Sequence, residues 1–144
     1  MGARRPAAAS FAVLLALGLG GCALPGLGSE PRPTPSYVPV PDAELFDRAG
    51  ALPGVVSFDG TFNDTWPEYT YLAEVVVADD ADPLDVADHV YAILWQGRSG
   101  AGAYVQVVQD NRIISTRDLI PVVTRVSLEE RYGPQPGDGT PPGD

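Results

Sequence analysis

The stretch that decides the fold reads Tyr69-Thr70-Tyr71-Leu72-Ala73-Glu74-Val75-Val76-Val77-Ala78 and, after Asp79-Asp80-Ala81, Asp82-Pro83-Leu84-Asp85-Val86-Ala87-Asp88-His89-Val90-Tyr91-Ala92-Ile93-Leu94. In its first half Tyr69, Tyr71, Ala73, Val75 and Val77 share one side and Thr70, Leu72, Glu74, Val76 and Ala78 the other, the period of two of an extended strand. Val75-Val76-Val77 is apolar on both sides, which places this strand centrally in a sheet. In the second half the period lengthens to that of a helix. Asp82 is set to cap it, Pro83 fits its first position, and Asp85 brings negative charge to its first turn. Val86, Ala87, Val90, Tyr91, Ile93 and Leu94 fall on one arc flanked by Trp95, with Asp85, Asp88, His89 and Gln96 opposite. An amphipathic helix docked on the sheet follows.

Upstream, Val55 to Phe62 alternates as a half-buried strand, with Val56, Phe58 and Phe62 on one face and Ser57, Asp59 and Thr61 on the other. Asn63-Asp64-Thr65 is turn-like; as an N-glycosylation triplet it carries less weight than as turn chemistry. Before that strand, Asp42 is placed to cap a short helix carrying Leu45, Phe46 and Ala49, which Gly50 ends. Downstream, Gly97 to Gly102 is a flexible connection. Ala103 to Gln109 forms a third strand with Val105 and Val107 opposing Tyr104, Gln106 and Val108. Asp110-Asn111 turns it toward Ile113 and Ile114 in a short hairpin. Thr124 or Ser127 opens a last helical turn through Leu128, Glu129, Glu130 and Arg131.

The expected architecture is a small α+β two-layer sandwich of order α-β-β-α-β, with three or four strands and two helices on one face. It resembles a truncated ferredoxin-like βαββαβ unit that lacks its first strand.

Hydrophobic residues make up 44% of the 144 residues and charged ones 19%, enough for one modest core. Proline and glycine concentrate toward both ends. Arg4 and Arg5, the apolar run Phe11 to Leu17, and Leu19-Gly20-Gly21-Cys22 have the layout of an export signal, too short in its apolar part to span a bilayer. Leu19, Gly20, Gly21 and Cys22 resemble, position for position, the lipobox of bacterial lipoproteins. The resemblance implies cleavage between Gly21 and Cys22 and transfer of diacylglycerol to the Cys22 sulfur, with the mature protein on the extracytoplasmic face of the cell membrane. Cys22 is the sole cysteine, so it has no disulfide partner within the chain. Two acyl chains suffice for stable anchoring. The paired arginines match a twin-arginine export motif only in part, which leaves the export route open.

The expected organisation is a signal peptide at 1–21, a lipidated cysteine and proline-rich tether at 22–41, the α+β domain at 42–132, and a disordered tail at 133–144 rich in proline and glycine. All nine basic residues are arginine, and every acidic residue lies after position 22. Loss of residues 1–21 leaves seven basic against nineteen acidic side chains, a formal charge of −12. Such a surface repels nucleic acid and anionic headgroups. The all-arginine, alanine-rich usage is that of a high-GC genome, and the central domain is similar in general pattern to small uncharacterised actinobacterial lipoproteins, a likeness that implies no activity.

Candidate chemistry is sparse. His89 is the only histidine, yet its helical angle sets it with Asp85 and Gln96 on the solvent side, without a nucleophile. The run Asp79-Asp80-Ala81-Asp82 with Asp85 and Asp88 lacks the spacing of a calcium loop, and capping explains Asp82 and Asp85. Gly97-Arg98-Ser99-Gly100-Ala101-Gly102 follows a helix and precedes a strand, the wrong order for a phosphate cradle. No metal site, cofactor or catalytic set is expected. Tyr69, Tyr71 and Tyr104 are either an aromatic platform on an open sheet face, suited to a protein, peptide or carbohydrate partner, or core residues beneath the helices. The function expected is a non-catalytic, lipid-anchored binding module of the cell envelope; the alternative is an envelope enzyme or accessory subunit using His89 and nearby carboxylates.

Overall fold

A computed structural model describes residues 37–143 apart from Trp66 and Glu68. Cys22, the cleavage position and the tether up to residue 36 lie outside the described residues. The elements run α1 (Asp42–Gly50), β1 (Val55–Asn63), β2 (Thr70–Val77), α2 (Pro83–Leu94), β3 (Gly102–Gln109), β4 (Arg112–Ile114) and α3 (Arg125–Tyr132). Four strands form one mixed sheet in chain order, β1-β2-β3-β4. β1 and β2 are antiparallel, β2 and β3 are parallel across the α2 connection, and β3 and β4 close an antiparallel hairpin. The parallel contact of β2 with β3 is what a split βαβ unit becomes when no strand separates its two halves. The domain is thus α+β, with the order the sequence pattern indicates and a full third helix in place of the single expected turn.

β2 is an inner strand, and Tyr71, Ala73, Val75 and Val77 are buried with Ala103, Val105 and Val107 of β3. α2 covers them with Val86, Ala87, Val90, Tyr91, Ile93, Leu94 and Trp95, all buried, and α1 adds Leu45 and Ala49. Asp82 caps α2 by accepting from the N–H groups of Leu84 (2.9 Å) and Asp85 (3.4 Å), with Pro83 following. Asp110 and Asn111 take φ of 52° and 57°, the left-handed pair that a tight hairpin turn requires. At α3, Thr124 is the cap, in reciprocal bonds with Ser127.

Five expectations are corrected. Val56 does not share the Phe58 face: a bulge between Val55 and Ser57 ejects it to solvent while Val55 turns toward the core. Asp42 does not cap α1, whose N-cap is Pro41; its carboxylate is drawn to Arg98 and Tyr71. Asp88 is buried on the flank of α2, because α3 docks there: Arg131 and Tyr132 both donate to its carboxylate, Tyr132 at 2.5 Å. The tether gives way to the domain before residue 41, since the Tyr37 hydroxyl donates to the Gly97 carbonyl and Val40 N–H to the Gln96 carbonyl. The segment 133–143 is packed rather than disordered. Gly133 O accepts from Trp95 Nε1 at 2.8 Å, Gln96 Nε2 donates to Gly137 O, and the Gln135 side chain bridges Gly100 N–H and Ala101 O. These backbone groups satisfy the exit of α2, which explains how a segment poor in apolar side chains is held.

Candidate functional site

The helices cover one face of the sheet only. On the other, the register aligns three rows: Thr61, Leu72 and Tyr104; then Asp59, Glu74 and Gln106; then Ser57, Val76, Val108 and Ile113. No element of the described residues closes over them, and Leu72, Tyr104 and Ile113 stay 39%, 54% and 70% exposed. The middle row is polar and internally bonded, Gln106 Nε2 donating to Glu74 Oε2 at 3.0 Å.

The three tyrosines do not form one platform. Tyr71, 1% exposed, faces the helices, as the alternation of β2 demands. Its ring sits against Phe62 (4.8 Å between centroids) and edge-on to Phe46 (6.1 Å). Its hydroxyl donates to Asp42 Oδ1 at 2.7 Å and accepts from Arg98 N–H at 2.9 Å. Burial, and then the bond to Asp42, push the Tyr71 phenol up to about 12. Arg98 grips Asp42 at 2.6 Å and lies 4.3 Å over the Phe62 ring, and its hydrogen bond holds the Asp42 carboxyl below the ordinary range. Gly97 admits this node, because a Cβ there would collide with the Tyr71 ring. Tyr71 is therefore a core residue, and the platform loses its middle member.

Tyr69 and Tyr104 do come together. They line a recess of about 580 Å³ with Leu72, Thr70, Val123 and Arg125, where the outer face turns over the β3 edge toward α3. A second recess of about 470 Å³ lies beside it, sharing Tyr104 and Val123 and adding Gln106, Ile113, Thr116 and Arg117. The sequence indicated Tyr104 from strand parity; Arg117 and Val123 carried no signal, because the irregular segment after β4 has no period to read, and Arg125 opens α3 directly after its cap Thr124.

No family model, curated protein or solved structure matches the chain.

His89 is half-buried on α2. Its Nδ1 is 2.9 Å from the Asp85 carbonyl, an acceptor, so Nδ1 carries the proton; Asp85 Oδ1 is 3.7 Å away. It borders a recess of about 120 Å³ formed with Leu52, Pro53, Asp85 and Val86, none of which offers a hydroxyl or thiol. The acidic run is spread: Asp82 caps α2, Asp88 is taken by α3, and Asp79 shares a hydrogen bond with Asp110 that raises its carboxyl. Among the described residues no three of His, Cys, Asp and Glu gather at metal-binding distance, and no helix is long and apolar enough to cross a membrane.

Proposed function

We propose that the protein is a lipid-anchored module of the cell envelope that binds a partner through the uncovered face of its sheet, with no reaction of its own. Anchoring rests on Leu19-Gly20-Gly21-Cys22, and the extracytoplasmic location follows from it. The observation that carries the binding role is the outer face itself, where Leu72, Tyr104 and Ile113 stand exposed beside two recesses. Leu72 and Tyr104 are direct neighbours in the register, so the exposed apolar surface there is continuous and not a scattered single side chain. The enzyme reading has less support, because the recess at His89 is only about 120 Å³ and none of Leu52, Pro53, Asp85 and Val86 beside it carries a hydroxyl or thiol.

Photo-crosslinking in cells tests the role. A crosslinking residue at Leu72 or Ile113 is expected to give a discrete adduct, and one at Asp47 on α1 none. Absence of any adduct from the sheet face, or equal labelling from Asp47, would overturn it.

A further inference from the structure

The partner's chemistry is written in the charge of the two recesses. The chain carries nineteen acidic and nine basic residues, yet neither recess has an aspartate or glutamate in its wall, and each has an arginine. Among the described residues Arg98 is ion-paired with Asp42 and Arg131 with Asp88, while Arg48 bonds Gln96. Arg112, Arg117 and Arg125 are exposed and have no ion pair. All three lie in the segment from β4 to the start of α3, and two of them, Arg125 and Arg117, line the recesses. By contrast the groove between α1 and β1, about 740 Å³, carries Asp47 and Asp59 and no cation. Among the described residues, two of the three arginines without an ion pair thus stand in the walls of these recesses, beside two exposed tyrosines.

We infer that the paired recesses bind an acidic sugar chain, with sugar rings against Tyr69 and Tyr104 and its carboxylates or phosphates on Arg125 and Arg117. This rests on the binding-module reading above. Tyrosine rings offer an apolar face to the C–H side of a sugar and a hydroxyl to its rim. Thr70, Gln106 and Thr116 add hydrogen-bonding groups along the walls. Guanidinium forks match carboxylate and phosphate oxygens two at a time. A peptide added as a strand is less suited: β2 already takes one side of β3, and on the other β4 holds its end and the Tyr91 hydroxyl takes the Val105 N–H, one of the donors a ladder would need.

The test uses the full chain carrying Cys22→Ser, titrated calorimetrically at low salt. Polygalacturonate and a phosphomannan are the acidic probes. Fully methyl-esterified polygalacturonate, polyglutamate and phosphatidylglycerol vesicles are the comparators. Saturable, salt-weakened binding of the acidic polymers is expected, with at least a tenfold weaker response to the ester. Arg125→Ala, Arg117→Ala and Tyr104→Ala are each expected to weaken binding about tenfold, and Tyr104→Phe to retain it, at unchanged thermal midpoints. Failure of both acidic polymers to bind, equal binding of polyglutamate or the vesicles, or indifference to both arginine substitutions would overturn the assignment. A protein adduct at Leu72 or Ile113 combined with no polymer binding refutes the acidic sugar and leaves the binding module standing; absence of any adduct together with no polymer binding refutes both.

Discussion

Asp88 shows how a single side chain joins two elements. Its carboxylate takes both Arg131 and the Tyr132 hydroxyl, tying α2 to α3 across more than forty residues of chain. The bond to Asp88 raises the Arg131 guanidinium, and burial followed by the same carboxylate raises the Tyr132 phenol. Asp88→Ala leaves a guanidinium and a phenol without their acceptor in a partly buried site; a loss of about 2–3 kcal/mol by urea unfolding is expected. The helical wheel put Asp88 with the solvent side because a wheel records one partner surface, and α3 supplies a second. Asp42 gives the opposite sign of dependence on acid. Its folded carboxyl lies below the usual 3.8, so its contribution is complete above that pH and is lost as pH falls through the folded value. Since the Arg98 side chain is about half exposed, water screens the pair and its contribution is small. Asp42→Asn should therefore unfold earlier than the wild type at pH 7 and approach it only as the pH falls below 3.8 through the folded value.

Among the elements, strands and helices with a strong period were legible: β2, β3, α2 and the Asp110-Asn111 hairpin stand where their alternation and capping residues put them. What the pattern could not reveal was structure held by backbone groups. Residues 133–143 carry almost no apolar side chain, yet their carbonyls meet Trp95 and Gln96, and Gln135 clasps the loop before β3. Arg117 was hidden for a related reason: it lies in irregular chain after β4, with no period to read. Deleting residues 134–144 separates the two accounts of this segment. A disordered tail would leave stability unchanged, whereas the packed segment predicts a lower urea midpoint, by about 1–3 kcal/mol for the lost hydrogen bonds, with red-shifted tryptophan fluorescence.

At the scale of the molecule, the order α-β-β-α-β and the central place of β2 followed from the sequence, because each depends on periodicity and chain order alone. Which sheet face stays open did not, because that depends on the partition of Tyr71 from Tyr104. The proposed lipid anchor is tested on the whole chain: Cys22→Ser should move the protein from the membrane to the soluble fraction, and retention of the variant with the membrane would refute the lipid link.

One feature of β1 bears on how copies of such a molecule coexist. Among the described residues the strand is paired on one side only, leaving a nine-residue border open to cross-molecular ladder growth. The Val56 bulge breaks the regular spacing of N–H and C=O groups at one end of that border, and Asp59, solvent-facing near its middle, would meet a like charge close by in any copy that tried to extend the sheet. Flattening the bulge and neutralising Asp59 together would turn a discrete particle into a nucleus for fibrous aggregation.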